Sequence, residues 1–289
     1  MPNRRMFARL PYYSMVLSAI LAGQLLIGQT LNAAGKRSVK RILLIGQSPD
    51  GHPWSTHEYM AGQRIIASCL QPVKGLQTII VNADEPWKDG PEQLDGADVA
   101  VLFVSQGAKW LHQSPARLAA FQRLAKRGGG LVVVHWGMGC QQAKYIEKFV
   151  NLFGGCHGGP DRKYKIVNTT PSVVPNKHPV TKGVKPIAVK EEFYYTLKFV
   201  KSTTPVTPLI RANIYGKQHT VAWGWQRPDG GRSFGFSGCH YHENWKHHYY
   251  RRLVVQAVLW TAKTSLPKTG LPLKFSQNLL LKPRPKSKK

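Results

Sequence analysis

Residues 114–136, SPARLAAFQRLAKRGGGLVVVHW, decide the fold class of this 289-residue chain. Ser114 is a good helix N-cap, Pro115 suits the first helical position, and the glycine run at 128–130 ends the helix. The strand that follows is apolar at every position up to His135. A strand with one solvent-exposed face would instead alternate apolar and polar residues. A helix that leads into a continuously apolar strand is typical of a parallel sheet covered on both faces.

The same alternation of strands and helices extends through the chain. Further strands are predicted at 41–47, 76–82 and 98–105 in the first half, and at 189–199, 207–213, 218–225 and 232–238 in the second half. Further helices are predicted at 56–70 and 249–263. The RPDGG turn at 227–231 indicates an antiparallel hairpin between the last two strands. We therefore predict an α/β fold, with a doubly wound, mostly parallel sheet, helices on both faces and an added antiparallel hairpin in the C-terminal half.

The first 34 residues have the layout of a secretory signal peptide. Three arginines within residues 4–9 precede an apolar run at 13–28, and small residues at 31–35 offer a cleavage site. We therefore expect export to the periplasm or the cell exterior, and the adjacent arginines in NRRMF also fit the twin-arginine route. An uncleaved anchor is the alternative, but the run is shorter than the roughly 20 residues of a membrane span. No stable membrane span is expected after cleavage.

Much of the net charge of +27 lies at the two ends of the chain. Residues 1–41 and residues 264–289 each contain seven basic side chains and no acidic one, which leaves +13 for the body. The segment 264–289 is predicted to be a solvated, mobile tail, and polyanion binding through this tail is one possible function. No helix-turn-helix, RNP-like or zinc-finger pattern occurs in the sequence, so we predict no specific nucleic-acid partner.

The four cysteines, Cys69, Cys140, Cys156 and Cys239, are widely spaced and include no C-x-x-C pair. This spacing argues against a zinc ribbon and against c-type haem attachment. In an exported chain, Cys140 and Cys156 are the pair that could form a disulfide, and the sequence leaves that question open.

Histidines lie close to where predicted strands end. His57 follows the first strand and stands next to Glu58, and His135 ends the fourth strand. Loops at the carboxyl ends of parallel strands line the binding crevice, and the first and fourth strands can be neighbours in a doubly wound sheet. These two histidines could therefore share one site. The alternatives are a buried His135 bonded to a backbone carbonyl and a polar first helical turn at His57.

The stretch SGCHYHENWKHHYY, residues 237–250, contains four more histidines. His240 and His242 are two apart at a strand end, so they project from one face if the strand stays extended. His247 and His248 are adjacent and point in different directions, so we interpret them as solvated or capping residues.

Together these positions predict a mononuclear divalent-metal site. Its ligands would be His57, His135 and His240, with His242 or Glu192 as a further ligand. Several nitrogens with one oxygen suit zinc better than magnesium or calcium. An ion with an open coordination position can polarise a sugar carbonyl or hydroxyl, or lower the pKa of bound water to about 7.

Six segments of the chain form a recognisable set. They are GHPWSTHEYMAG (51–62), VVVHWG (132–137), HPVTKGV (178–184), EEFYYTLKF (191–199), VAWGWQRPDGGRSFGFSGCHYHENW (221–245) and RRLVVQAVLWTA (251–262). Together they resemble the ThuA-like (trehalose-utilisation) domain family, whose fold is related to class I glutamine amidotransferases. The resemblance runs from residue 41 to residue 263, and it implies a single flavodoxin-like domain at 35–263 in a family tied to sugar metabolism.

The resemblance also bears on the catalytic residues. Glu192 matches the acidic residue of the family's D-E-x-Y-type motif, so it is the candidate general base if it is not a ligand. Glu58 is the runner-up base, and His240 is a further catalytic candidate.

One departure from the amidotransferase relatives concerns their nucleophile. Those enzymes place a cysteine at a strand-to-helix elbow, where this chain has His135 and Trp136. Cys140 comes too late in the chain to replace it. Because thiol-dependent amide hydrolysis needs that thiolate, we expect no glutaminase activity.

Aromatic side chains flank the predicted site. Flat rings with a polar edge suit the apolar face and the hydroxyl rim of a sugar. The candidate substrate-binding residues are Trp54, Trp136, Tyr194, Trp225, Tyr241 and Trp245. Core and hairpin packing is the alternative role for some of them. We therefore expect a small-molecule or oligomeric carbohydrate as the ligand.

These features favour an exported, metal-assisted enzyme that acts on a sugar or keto-sugar by hydrolysis, isomerisation or proton abstraction, and that could form a homo-oligomer. The alternative is a non-catalytic sugar- or glycan-binding protein on the same fold. Nicotinamide oxidoreduction is disfavoured, because GQSPDG at 46–51 lacks the G-x-G-x-x-G spacing.

Overall fold

An eight-stranded sheet forms the centre of the protein in its computed structural model, which describes residues 39–266, 270–271, 273 and 276–280. The strands, numbered in chain order, are β1 (Lys40–Gly46), β2 (Leu76–Asn82), β3 (Val99–Leu102), β4 (Gly130–Val134), β5 (Gly139–Cys140), β6 (Gly155–Gly158), β7 (Lys163–Thr169), β8 (Ser172–Val173), β9 (Val189–Tyr195), β10 (Lys198–Phe199), β11 (Thr207–Ile214), β12 (Lys217–Gln226) and β13 (Arg232–Phe236). The helices are α1 (Tyr59–Leu70), α2 (Gly90–Asp95), α3 (Gly107–His112), α4 (Pro115–Lys126), α5 (Ile146–Phe153) and α6 (His248–Thr261). Short 3-10 turns lie at His135–Met138, Ala143–Tyr145, Pro179–Thr181, His242–Lys246 and Gln277–Leu280.

The strand order in the large sheet is β2-β1-β3-β4-β13-β12-β11-β8. The strands from β2 to β13 in this order are parallel, and β12, β11 and β8 extend the sheet in antiparallel pairings. Within β4, Val132 pairs with Val101 of β3 and with Phe234 of β13, and every residue of the strand is buried. The predicted α/β fold with a mostly parallel central sheet and added antiparallel strands is therefore confirmed.

The predicted hairpin joins β12 to β13. The two strands pair antiparallel, and the N–H of Arg227 donates to the carbonyl of Gly231 across the turn. The Asp229 carboxylate accepts from the Gly231 N–H at 2.8 Å, and Gly230 supplies the positive φ of 79° that the turn requires. The hairpin aligns β13 against β4, so the loop after β13 starts beside the end of β4.

Two helices show how closely local signals set element boundaries. Helix α4 begins at Pro115 as predicted, and the Ser114 hydroxyl accepts from the Arg117 N–H at 3.2 Å. Helix α1 begins at Tyr59, three residues later than predicted. The reason is tertiary, because the His57 N–H donates to the His240 carbonyl and His57 has a φ of 52°, which is incompatible with a helical turn.

Helices cover the sheet on both faces, as the apolar strands require. On one face, α1 and α6 pack on alternate strand residues such as Ile42, Leu44 and Val132. On the other face, α3, α4 and α5 pack on the intervening residues such as Leu43 and Val133. Because the apolar strands lie between two helical layers, their polar residues are confined to the strand ends.

Two smaller sheets complete the fold. β5, β6 and β10 form one, and β7 and β9 form an antiparallel ribbon. The strand predicted at 189–199 is divided, since Thr196 has a φ of 55° that ends β9 and the chain then pairs with β6 instead of β7. The ribbon places two adjacent carboxyl side chains in a buried position, because β9 carries both Glu191 and Glu192.

The described part of the C-terminal segment packs on the body. Leu266, Leu271 and Leu279 contact the core beside α1 and α6, and Arg252 donates to the Leu271 carbonyl at 2.9 Å. For these residues the prediction of a solvated tail from 264 onward is corrected, because the count of charges overlooked leucines that can be buried. The predicted signal peptide at 1–34 and the lysine-rich end at 281–289 lie outside the described residues. Among the described residues, no helix combines the length and the apolar character needed to cross a membrane.

Candidate metal centre

Three imidazole nitrogens from distant parts of the chain converge on one point. The Nε2 atom of His57 lies 3.0 Å from Nδ1 of His240, and Nε2 of His135 lies 3.1 Å and 3.2 Å from these two atoms. All three rings are buried. Nitrogens bound at about 2.0–2.1 Å to a tetrahedral ion are spaced about 3.3 Å apart. The triangle therefore has nearly the size that one tetrahedral ion needs.

A short backbone bridge brings His57 and His240 together. Thr56 and Tyr241 form an isolated antiparallel bridge, and the His242 N–H donates to the Ser55 carbonyl at 2.9 Å. The loop after β1 is thereby joined to the loop after β13. This contact positions two of the three imidazoles relative to each other.

The third imidazole belongs to His135, at the end of β4. Strand β3 lies between β1 and β4, so the first and fourth strands are not neighbours as the sequence suggested. The rings of His57 and His135 meet nevertheless, because both loops reach over the carboxyl edge of the sheet. His135 directly follows β4 and begins the 3-10 turn at His135–Met138.

The hydrogen bonds behind the rings set their tautomers. Nδ1 of His135 lies 2.7 Å from the Ser237 carbonyl and must donate to it, so its Nε2 carries a lone pair. Nδ1 of His57 lies 3.0 Å from the Tyr59 hydroxyl, which donates its own proton to Asp50 at 2.6 Å. Nδ1 of His57 is therefore the donor to that oxygen, and Nε2 of His57 also carries a lone pair. Lone pairs that converge in this way are what a metal ion requires.

A carboxylate lies beside the three nitrogens. Oε1 of Glu192 is 3.8 Å from Nε2 of His135 and 3.6 Å from Nδ1 of His240. The ligand atoms of this group all lie within 4.8 Å of one another, so the buried His57–His135–Glu192–His240 cluster could hold a metal ion. The Tyr194 hydroxyl, which is 3.0 Å from Nε2 of His135, also faces the cluster.

Burial governs the protonation of the cluster. Desolvation lowers the pKa of His240 to about 3, and together with the neighbouring imidazoles it holds the pKa of His135 well below its ordinary value. Desolvation, with the nearby charge of Glu191, raises the pKa of Glu192 to about 7. Burial also tends to raise the pKa of Asp50, but hydrogen bonds from His57, Tyr59 and other groups hold it well below its usual range. Neutral imidazoles beside a carboxyl that titrates near neutrality suit both metal binding and proton transfer.

Each of the three histidine loops contains strained backbone. His57 and His135 have φ values of 52° and 47°, and Cys239, directly before His240, has a φ of 80°. Left-handed conformations cost non-glycine residues about 1–3 kcal/mol, and they persist where the surrounding structure imposes them. Each histidine loop thus contains a residue in a conformation that a merely connecting loop would avoid.

Two predicted polar residues lie elsewhere. His242 starts a 3-10 turn, so the extended geometry that would align it with His240 is lost, and its Nε2 lies 3.4 Å from the Leu279 carbonyl. Glu58 accepts from the Ser55 N–H at 3.2 Å and precedes helix α1. His242 is therefore not one of the four clustered residues, and Glu58 stabilises the loop that carries His57.

The predicted aromatic residues fall into two groups. Tyr194 stacks on His135 with ring centroids 4.5 Å apart, and the Tyr241 ring lies 4.7 Å from that of His240. Trp136 packs against Tyr194 with ring centroids 5.8 Å apart. Trp54 lies three residues before His57 in the chain, and its side chain is 51% exposed.

Trp225 and Trp245 lie away from the cluster. Trp225 pairs with Ser233 in the half of the sheet opposite to His135, and its indole donates to the Thr204 carbonyl at 3.0 Å. Trp245 is buried in the core on the side of α1. Both rings therefore serve packing. The sequence pattern did not show this, because it does not reveal at which end of the sheet a ring lies.

The structure adds residues that the sequence reasoning missed. Asp50 and Tyr59 hold His57, and His157 stacks on Tyr194 with ring centroids 3.9 Å apart. His157 is buried, and its Nδ1 has no hydrogen-bond partner among the described residues. Asp50 lies in the loop between β1 and His57, where a carboxylate that hydrogen-bonds a metal-binding histidine is expected. The sequence could therefore have indicated it. His157 gave no comparable signal, because it lies within the separate short strand β6 and not at the end of a strand of the large sheet.

The cysteine pair singled out in the sequence is close in space. Sγ of Cys140 lies 4.0 Å from Sγ of Cys156, and both are buried free thiols. Hydrogen bonding to Cys156 lowers the pKa of Cys140, whereas burial raises that of Cys156. The pair lies on β5 and β6, which also carries His157.

The metal-free protein is expected to lose stability as the pH falls from 7 to 5. His135, His157 and His240 stay neutral in the folded state below pH 6.5, whereas they protonate when unfolded. Each ring then favours unfolding by about 1.4 kcal/mol per pH unit. Glu191 and Glu192 act oppositely, because their pKa values of about 6 and about 7 let the folded state bind protons first, and they offset part of the loss.

The urea midpoint measured in EDTA at the two pH values tests this expectation. The His157→Gln variant should show a smaller difference between them, because one buried neutral ring is removed. A midpoint that is higher at pH 5 than at pH 7 contradicts the expectation and would mean that the two glutamates dominate.

Comparisons with known proteins agree with this architecture. The family model ThuA, described as trehalose utilisation, matches residues 43–261. A protein described as ThuA-like from Bacteroides uniformis is 16% identical with a TM-score of 0.57, and the alignment covers 81% of this chain and 95% of that chain. A cytoplasmic protein from Salmonella typhimurium is 15% identical with a TM-score of 0.49, covering 77% of this chain and 99% of that one.

A β-galactosidase from Rahnella sp. R3 is 10% identical with a TM-score of 0.50, and the match covers 80% of this chain but 32% of the galactosidase. No curated protein matches the sequence. At these identities, the structures with TM-scores of 0.57 and 0.50 show the fold alone.

Proposed function

Because this chain belongs to the ThuA family, whose description is trehalose utilisation, we propose that it is a metal-dependent enzyme acting on a sugar or keto-sugar, with zinc as the ion. The observation that carries the proposal is the triangle of imidazole nitrogens 3.0–3.2 Å apart with a buried carboxylate beside it. Three neutral imidazoles cannot all satisfy one another at such distances, because a donor is needed for each hydrogen bond and at least two of the facing nitrogens carry lone pairs.

The donor set favours zinc among the common ions. Three nitrogens and one oxygen suit a tetrahedral late first-row ion, whereas magnesium and calcium prefer oxygen ligands. His57, His135 and His240 would hold the ion. When bound, it would polarise a substrate oxygen or activate a water molecule.

Glu192 is positioned to move a proton. Its carboxylate lies within 3.6–3.8 Å of two of the imidazoles, and its pKa of about 7 lets it accept a proton near neutral pH. The positive charge of a bound ion would shift Glu192 further towards its ionised form. We assign it the role of general base, with the Tyr194 hydroxyl as a hydrogen-bond donor to the substrate.

The surroundings of the centre suit a carbohydrate. The Tyr194 ring is stacked on both His135 and His157, so its hydroxyl and not its ring face is directed to a ligand. The half-buried Tyr241, which lies against His240, and Trp54, which is 51% exposed, are the rings that could contact a sugar. Aromatic faces pack against the C–H side of a sugar ring, while the polar cluster can bind its oxygens.

We include in the proposal that the protein is exported, on the basis of the signal-like residues 1–34.

A binding and turnover screen tests the proposal. Metal-stripped protein is expected to rise in thermal midpoint with Zn²⁺ and to convert one member of a panel of mono- and disaccharides and their keto forms only when metal is present. EDTA should reverse both effects. Stabilisation by sugars without turnover under any metal condition would instead identify a glycan-binding protein.

A further inference from the structure

Glu191, the neighbour of the proposed base, is fully buried and bonds to the loop that carries His240. Its Oε1 accepts from the N–H groups of Glu192 at 2.9 Å and of His240 at 3.1 Å. Its Oε2 accepts from the Cys239 N–H at 3.0 Å, the Asn244 amide at 3.1 Å and the Tyr250 hydroxyl at 2.7 Å. One carboxylate thus receives five hydrogen bonds, and none of them comes from a basic side chain.

These bonds join the two elements that form the metal centre. Glu192 lies on β9, whereas Cys239 and His240 lie in the loop after β13, and Glu191 bonds to the backbone of all three. Cys239 has a φ of 80°, a conformation unfavourable for a residue with a Cβ. The buried Glu191 carboxylate accepts hydrogen bonds from the N–H groups of Cys239 and His240, which flank this strained residue. These bonds oppose relaxation of the loop.

We propose that Glu191 is a positioning residue for the metal centre, holding Nδ1 of His240 and the carboxylate of Glu192 at their mutual distance. The inference rests on the proposed function, because it assigns Glu191 a role in metal binding. Glu191 itself does not touch the ion or the substrate. Residues that hold a metal ligand in place through hydrogen bonds commonly contribute about 10–100-fold to metal affinity.

The position requires a carboxylate and not an amide. Each of its two oxygens accepts at least one backbone N–H, and a backbone donor cannot reverse its role. In Glu191→Gln the amide nitrogen must therefore face a backbone N–H, whichever way the side chain is turned. The substitution preserves size and shape but opposes the conformation of the loop.

Zinc affinity and the visible spectrum of the Co²⁺-substituted protein test the inference. Glu191→Gln should bind zinc about 10–100-fold more weakly in a chelator competition and should show an altered Co²⁺ spectrum. Tyr250→Phe is the second variant, for use if Glu191→Gln does not fold. Because it removes one of the five donors, it should weaken zinc binding roughly fivefold.

The matched control is Gln256→Leu. Gln256 is also fully buried and donates to the Val180 and Lys182 carbonyls, outside the metal cluster. Its loss should lower the thermal midpoint in EDTA without changing zinc affinity or the Co²⁺ spectrum. If wild type binds zinc and Glu191→Gln or Tyr250→Phe changes only stability, as the control does, the positioning role is overturned alone. If wild type binds no zinc, the proposed function is overturned together with it.

Discussion

Purified His135→Ala protein is expected to contain less than about one tenth of the zinc of the wild type and to bind added zinc at least about 100-fold more weakly. His135 supplies one of the three converging nitrogens, and its tautomer is set by the Ser237 carbonyl. Its removal leaves two nitrogens and a carboxylate, which is too few to hold the ion tightly. Turnover of any identified substrate should be lost with the metal.

Metal content measured by mass spectrometry of dialysed protein provides the test. His247→Ala is the matched control, because His247 lies outside the cluster and its ring packs near Tyr250. The urea midpoint in EDTA separates loss of a ligand from loss of the fold, since His135 is completely buried. Zinc content equal to that of the wild type in folded His135→Ala protein would contradict the metal centre.

Glu192→Gln is expected to lower turnover by about 100-fold or more while zinc affinity changes by less than about 10-fold. The reason is that Oε1 of Glu192 lies 3.6–3.8 Å from two of the clustered imidazole nitrogens, close enough to exchange a proton with a group at the centre. An amide of the same size keeps the contacts but cannot accept that proton. The pH–rate profile of the variant should lose its limb near neutrality.

The control for this variant is Glu58→Gln, because Glu58 accepts from the Ser55 N–H and is not one of the four clustered residues. It should retain turnover within a few-fold. Equal losses of zinc affinity and turnover in Glu192→Gln would show that Glu192 is a metal ligand and not the base.

Much of the fold could be predicted because its signals are local. Ser114, Pro115 and the glycines at 128–130 set the ends of α4, and the apolar run of β4 required cover on both faces. The RPDGG turn likewise identified the hairpin from five neighbouring residues. The start of α1 was mispredicted, because a backbone contact from His57 to His240 overrides the helical pattern there.

The candidate site was predicted less completely. His57, His135 and His240 were singled out because each follows a predicted strand, and the topology of parallel strands gathers such positions at one edge. His242 was included on the assumption that an extended chain continued past His240, but a 3-10 turn begins there. Glu191 was not predicted, because nothing in the sequence shows that its side chain would fold against the loop of Cys239.

The sequence by itself determined the layered α/β architecture and the placement of histidines at strand ends, since these depend on apolar periodicity and on residues that are neighbours in the chain. Only the tertiary structure decided which of those side chains meet within 3.2 Å, which lone pairs face inward and which carboxylate orients the loop. The physical reason is that hydrogen-bond geometry is set to within a fraction of an ångström by contacts between segments about 50 to 180 residues apart, and no local pattern encodes such distances.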